Sequence, residues 1–436
     1  MSKPVVSYPQ PHDRLVQIAQ DIFTPVKDSV CVSCFFISGS GKRTVIKFLL
    51  QEKEILRKIF DKNFEKTLFV YVDPDEILGG SNEAYLRLTL DHLLLKIREI
   101  GIKPITHEAT NPIFTIKQNV QNLISKNWHI VFLLNDFEFT LSLDPSIYRN
   151  LESIHSLDKS KVAYVFLSTI NFLEENTLAK LHNFKYAINR VVYYHPLLDE
   201  KTIVYVLDKF EDQLKIKLSF PMKEVLKKLC DGHIQLLKYC IYKLKEAGKD
   251  YLKIPQKAQD YLISNNQLRS VCADIWNYFS LDEKEIIISA VKTGKIPSSL
   301  SSKSDFVLNT GLIKKTKSGS YVLFGELFQN FVLDQFPKEK IIYDQTMNQI
   351  FYGSIKCSDK FTFQEFKLLV HFLKNEGKVI SRDEIGQVLW GRNYVEKFSD
   401  WSIDKIISSI RKKFDQMDFP SSKLVTLKKR GFTFSN

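Results

Sequence analysis

Phe36-Ile37-Ser38-Gly39-Ser40-Gly41-Lys42-Arg43-Thr44 joins an apolar run to an amphipathic one, and its reading decides the fold. Residues 30–38 are short and nearly all apolar, as a strand buried on both faces must be. Residues 45–60 repeat their apolar positions with a helical period. Glycines at such a strand-to-helix turn let backbone N–H groups close on phosphate oxygens, and a lysine after the second glycine reaches the outer phosphates. Gly41 and Lys42 stand where that chemistry needs them, with Gly39 in support. Two positions depart from the pattern. Phe36 takes the place of the first glycine, and Arg43 the place of the hydroxyl that would hold Mg²⁺. Thr44 comes one residue late, about 100° around a helix, so it cannot simply take over.

Outward from this turn the pattern repeats. Residues 68–73, 130–135, 162–169 and 190–194 read as further buried strands, and residues 83–100 and 114–126 as helices between them. Strands that alternate with helices make a parallel α/β sheet covered on both faces. Strand three ends in Asn135-Asp136-Phe137-Glu138. The turn resembles that of P-loop ATPases, and the resemblance implies that a carboxylate at this strand end anchors a metal shell while a second acid orients water. Asn135 occupies the first acidic position, and an amide cannot supply the charge that pairs with Mg²⁺. Asp136 is then the candidate catalytic carboxylate. Gly39, Gly41, Lys42, Arg43 and Thr44 are the candidate nucleotide-binding set, with ATP or ADP as the expected ligand and Mg²⁺ left open.

After Pro196 the strand signal stops. Residues 201–214, 221–230, 234–247 and 255–264 are helical in period. Residues 270–336 place helices before a hairpin, 310–315 and 319–323, around Lys317-Ser318, which is the layout of a winged helix. Pro337 to Lys340 reads as a linker. The tail, 341–436, begins with short strands at 341–343 and 349–352. A helix from about 400 to 414 follows later, with Ile403, Ile406, Ile407, Ile410 and Phe414 on its core face. Its other face carries Ser402, Lys405, Ser408, Ser409, Arg411, Lys412 and Lys413, and three cations in a row, Lys428, Lys429 and Arg430, stand before Gly431. Cations and small hydroxyls suit a nucleic-acid groove. In β geometry the cation triplet would alternate sides and aim at least two charges at phosphates. The plainer reading of Lys412-Lys413 is a helix C-terminus offsetting its dipole.

The tail resembles, in order, the winged-helix DNA-binding domain of OmpR/PhoB-type regulators, through Glu365-Phe366-Lys367-Leu368-Leu369, Gly377 to Arg382, Leu389-Trp390-Gly391, the 402–413 helix and Val425 to Phe432. That resemblance implies double-stranded DNA as a partner, with Lys405, Ser408, Ser409, Arg411, Lys412, Lys428, Lys429 and Arg430 as candidate contacts. Roughly residues 15–336 resemble STAND and related AAA-type P-loop ATPases. His195-Pro196-Leu197 is similar to their junction and Cys230-Asp231-Gly232-His233 to their lid turn, while Ser168-Thr169 stands at their sensor position. Asn171 replaces the usual STAND basic residue, and Arg43 and Asn135 leave hydrolysis weak or absent. The expected fold is therefore multidomain α/β plus α. It has a P-loop domain at 1–197, a helical lid at 198–268, a middle winged helix at 269–336 and an OmpR/PhoB-like winged helix at 341–436. The expected function is a DNA-binding transcription regulator. In it a degenerate P-loop module acts as a nucleotide- or partner-responsive switch for the C-terminal winged helix. The alternatives are an active origin-recognition-like ATPase acting on DNA and a non-catalytic interaction scaffold.

Composition agrees with these classes. The chain of 436 residues is 44% hydrophobic and carries a net charge of +12, enough for several buried cores and for an acidic partner. Residues 341–436 hold 16 basic against 11 acidic side chains, a denser positive charge than the rest. Six scattered cysteines suggest no disulfide framework, which fits a reducing, cytoplasmic interior. Cys31-Val32-Ser33-Cys34 has metal-site spacing but lies in an apolar strand without a second pair, which favours a packing role. Residues 1–28 lack a signal-peptide core, and no run is long enough to span a bilayer. A protein partner or self-association is left open.

Overall fold

The computed structural model describes residues 9–436 apart from 78, 107–110, 336–339, 346–347, 353–354, 392–398, 418 and 429. The linker expected at 337–340 falls mostly outside the described residues. The chain divides into two compact units, Met1–Leu333 and Asp334–Asn436.

The first unit is built on five parallel strands: β1 (Val32–Phe35), β2 (Thr67–Val72), β3 (His129–Leu134), β4 (Val162–Ser168) and β5 (Val191–Tyr194). They lie in the order β2-β3-β4-β1-β5. β1 and β4 are buried along their whole length, while β5 at the edge is half-buried throughout. Their apolar content follows from this, because helices cover both faces of a parallel sheet. On one face, helices His12–Lys27, Lys42–Gln51 and Lys53–Phe60 share a core with β1, β3 and β4.

Two features differ from the sequence reading. The helix expected over 45–60 is two helices, broken at Glu52, whose ψ of 80° leaves the helical region. The break lets Ile55, Leu56 and Phe60 turn onto the first helix, where the Phe60 ring meets Phe23 at 6.4 Å. That first helix, His12–Lys27, was not expected. It buries Leu15, Ile18, Ala19, Ile22, Phe23 and Val26 at helical spacing, but Pro25 in its last turn and the polar residues around it mask the stripe. Arg14 on this helix bonds Asp199 Oδ2 at 2.9 Å and the Pro196 carbonyl at 2.9 Å, so the helix also fixes the chain as it leaves β5.

Beyond β5 lie helices Glu200–Leu214, Phe220–Cys230, Ile234–Ala247, Lys249–Lys253 and Pro255–Ile263. Asp199, Ser219 and His233 each cap the N-terminus of the helix that follows through a side-chain acceptor. Helices Asn266–Asn277 and Leu281–Thr293 and the antiparallel hairpin Ile313–Lys315/Tyr321–Leu323 come next. The hairpin packs on what precedes it. Lys314 pairs with Asp231 at 2.7 Å, Leu197 N–H donates to the Thr310 carbonyl at 2.9 Å, and Phe324 stacks on His233 at 5.6 Å.

The second unit starts with a three-stranded antiparallel sheet, Ile341–Asp344, Gln349–Tyr352 and Ile355–Lys356. Helices Phe363–Lys374, Arg382–Trp390 and Asp400–Gln416 follow, and the strands Leu424–Leu427 and Gly431–Phe434 close it as a wing, joined by Val379–Ile380. One core holds it together, with Ile403, Ile407, Ile410 and Phe414 of the last helix facing Leu368, Leu369, Phe372, Phe432 and Phe434. Gly431 has φ 122°, and a Cβ there would collide with the Ile380 carbonyl, so glycine lets the outer strand close.

Candidate functional site

The carboxyl ends of β1, β2 and β3 meet at one cleft of about 950 Å³, the place where open α/β sheets bind ligands. Gly39 (φ 76°) and Gly41 (φ 92°) carry the chain from β1 into helix Lys42–Gln51 in conformations that L side chains rarely adopt. Gly41 is the N-cap and offers no side-chain cap, so the first N–H groups of the helix remain free for an anion. Two cations, Lys42 and Arg43, sit in this first turn with no acidic residue beside them. A helix dipole disfavours cations there. Carboxylates from the neighbouring strand ends hold them.

Lys42, 7% exposed, places Nζ 2.5 Å from Asp136 Oδ1. The Nη2 atom of Arg43 lies 2.6 Å from Asp136 Oδ2, 2.5 Å from Asp75 Oδ2 and 3.1 Å from Asp73 Oδ1. The buried Asn135 donates from Nδ2 to Asp73 Oδ1 at 3.2 Å and to Asp136 Oδ2 at 2.8 Å. Burial pushes the Asp136 carboxyl up, but Lys42 and Arg43 outweigh it and hold the group below the usual range. Asp136 is thus ionised, with both oxygens engaged, on a backbone at φ 42°. The oxygens of this candidate catalytic carboxylate are taken up by Lys42, Arg43 and Asn135. Glu138 is held by Thr169, whose N–H donates to Oε1 at 3.0 Å and whose hydroxyl also donates to it. Ser40 Oγ, Asn135 Oδ1 and Glu138 Oε2 are buried without a hydrogen-bond partner, which concentrates unmet polar groups at this cleft.

Thr44 is exposed and lines the cleft, while Arg43 is the residue that pairs with the acidic groups. Phe36, in place of the first glycine, is buried and stacks on His195 at 4.7 Å. Mg²⁺, which the phosphate-loop fold implies, does not fit this set. Asp73, Asp75 and Asp136 bring ligand oxygens within 4.8 Å of one another, but a guanidinium and an amide already donate to them.

The turn at 232–235 reaches the same loop. His233 donates from Nε2 to the Ser38 carbonyl at 2.7 Å, and its Nδ1 accepts from Leu236 N–H at 3.3 Å. Burial lowers its pKa to about 4, so it is neutral. Gln235 N–H donates to the Gly39 carbonyl at 3.3 Å. The sequence signal for this contact was the Gly232-His233 pair. Gln235 carried none. The 31–34 cysteine pair is buried, and burial pushes the Cys31 thiol up to about 11, as suits a packed strand rather than a reactive or ligating site.

In the C-terminal unit the expected contact residues separate. Lys405, Ser408 and Lys412 are exposed on helix Asp400–Gln416, and Lys428 and Arg430 are exposed at the hairpin end. Lys429 lies outside the described residues. Leu427 pairs with Gly431, and Arg430 N–H donates to the Leu427 carbonyl at 2.9 Å, so Lys428 and Arg430 lie at a turn and not in the alternating strand expected of them. Arg411 is engaged elsewhere. Its guanidinium donates to the Leu424 carbonyl at 2.6 and 2.9 Å and to Thr426 Oγ1 at 2.8 Å, which clamps helix to wing. Lys413 pairs with Glu365. Burial raises that carboxyl, while hydrogen bonds from Lys413, the half-buried Ser409 and Thr362 lower it by more. Ser409 and Arg411 thus serve internal contacts. Spacing on a helix could not reveal this, because their partners lie at 365 and 424.

Fold and site together define a P-loop α/β module joined to a C-terminal winged helix. Residues 360–434 match the family described as transcriptional regulatory protein, C terminal. The chain is similar in fold to the Walker-type ATPase of Pyrococcus abyssi, at 9% identity and a TM-score of 0.50, over 74% of this chain and 95% of that one. It also resembles, less closely, the ORC2 protein of Aeropyrum pernix, solved in ADPNP-ADP complexes, at 14% identity and a TM-score of 0.45, over 76% and 97%. Cdc6p from Pyrobaculum aerophilum matches at 12% identity and a TM-score of 0.41, over 77% and 98%. No curated protein matches the chain in sequence. Among the described residues, no helix is long and apolar enough to cross a membrane.

Proposed function

We propose that this chain is a DNA-binding transcription regulator whose P-loop module is a nucleotide- or partner-responsive switch for the C-terminal winged helix. One observation carries the switch reading: the anion cradle of Gly39, Gly41 and Lys42 is kept, while Arg43 and Asn135 fill the metal-binding positions. A site of this kind favours binding a nucleoside di- or triphosphate over hydrolysing it. The family match at 360–434 supports the DNA-binding end. There Lys405, Ser408, Lys412, Lys428 and Arg430 are the exposed contacts, with Lys429 between the last two in sequence. The reading divides the chain into a P-loop domain (1–197), a lid (198–268), a middle winged helix (269–336) and a DNA-binding domain (341–436). The middle segment transmits lid position, since Lys314 and Phe324 rest on Asp231 and His233.

The test is DNA affinity of the full chain titrated with ATP and with ADP. One nucleotide should change the dissociation constant by about fivefold or more, and Lys42→Ala should abolish the effect. Absence of DNA binding at low salt would sink the regulator. DNA binding that ignores nucleotide would sink the nucleotide switch. A second reading, a scaffold that binds no nucleotide, draws support from the Lys42–Asp136 pair and from Gln235 lying against Gly39. In that case neither nucleotide produces titration heat or a thermal shift.

A further inference from the structure

We propose that the Arg43 guanidinium is the resident cation of the cleft, so that nucleotide binds here without a divalent metal ion. The inference rests on the nucleotide-binding reading above. Asp73 and Asp75 follow β2, and Asp136 follows β3, so the fold gathers three carboxylates at one point, a donor set of the kind that holds a hard cation. Arg43 Nη2 lies within 3.1 Å of one oxygen from each of them. Two of the other three oxygens also face cations: Lys42 holds the second Asp136 oxygen at 2.5 Å, and Lys47 stands 4.0 Å from the second oxygen of Asp73. Asn135 adds two N–H bonds to the same carboxylates and no charge of its own.

A metal ion would have to displace a cation tethered to the adjoining helix, and Mg²⁺ in addition gives up its water reluctantly. The guanidinium has five N–H donors in a rigid plane. Nη2 serves the acids, and Arg43, 42% exposed, lines the cleft together with Gly39, Gly41 and Lys42. Its outward edge is therefore available to phosphate oxygens. The arrangement supplies positive charge to a nucleotide but no metal-bound water.

Two titrations of the full-length protein test this. In the first, Mn²⁺ alone is followed by electron paramagnetic resonance. Arg43→Ser and Arg43→Gln, both checked for native circular dichroism, should each bind Mn²⁺ about tenfold or more tightly than the wild type. In the second, ATP and ADP are titrated calorimetrically in Mg²⁺ and in EDTA. Wild-type affinities should agree within about threefold, and the two variants should become Mg²⁺-dependent. Tight Mn²⁺ binding by the wild type, or nucleotide binding that vanishes in EDTA, overturns the inference and leaves the nucleotide reading intact. Nucleotide binding in neither buffer overturns the nucleotide reading itself, and the Mn²⁺ titration then still decides whether Arg43 holds the cation position.

Discussion

His195 and His233 show how single residues tie the cleft to stability. Both are buried near the P-loop, and burial lowers their pKa values to about 3 and about 4. Unfolded, each would titrate near 6.5. The unfolded chain therefore takes up protons first as pH falls, and stability present above about pH 6.5 is lost toward pH 4. A shift of the His233 size is worth on the order of 3 kcal/mol. Thermal unfolding of the full chain between pH 7 and pH 4 should show this loss. His233→Asn, which keeps an N-cap acceptor but cannot ionise, should flatten the slope. An unchanged slope would show that His233 does not carry the acid sensitivity. Arg43 and Arg411 teach a second lesson at this scale. Both were legible as cations, and each has partners that lie far away in sequence, at Asp136 and Leu424.

At the scale of elements, two glycines hold close approaches at the 232–235 turn, Gly39 to Gln235 and Gly232 to Leu198. A Cβ at Gly39 would strike the Gln235 side-chain oxygen, and one at Gly232 would strike the Leu198 carbonyl. A side chain can swing aside, but a backbone carbonyl that belongs to a helix junction cannot do so cheaply. Both positions also have positive φ, at 76° and 86°. Gly39→Ala should therefore cost about 1–2 kcal/mol, chiefly from the left-handed backbone, and Gly232→Ala should cost more. Denaturant titration of both variants measures the order, and a larger loss for Gly39→Ala would contradict the account. The same scale explains what the helical pattern missed. Helix His12–Lys27 hides behind Pro25, and the break at Glu52 follows from packing onto that helix rather than from any local breaker.

For the whole molecule, the relevant quantity is charge on the C-terminal face. Replacing Lys405, Lys412, Lys428 and Arg430 by alanine should weaken binding to all DNA sequences alike and flatten the dependence of log K on log salt by about 0.9 for each phosphate that is no longer neutralised. Fluorescence anisotropy across a salt series reads both. Arg411→Ala should instead loosen the wing, lowering the melting temperature as well as affinity. Equal salt slopes for wild type and the quadruple variant would remove these residues from the interface.

The sequence by itself determined the strand–helix alternation around Phe36–Thr44, the retained Gly39, Gly41 and Lys42, and the winged-helix order of the tail. Local periodicity and turn chemistry encode all of these. Arg43 and Asn135 were already visible as departures from a metal site. Only the tertiary structure decided what the departures do. It brought Asp73 and Asp75 after β2 and Asp136 after β3 onto one guanidinium, laid the 232–235 turn on Gly39, and turned Ser409 and Arg411 inward. Ion pairs and hydrogen bonds depend on distances between side chains, and chain folding, not sequence spacing, sets those distances.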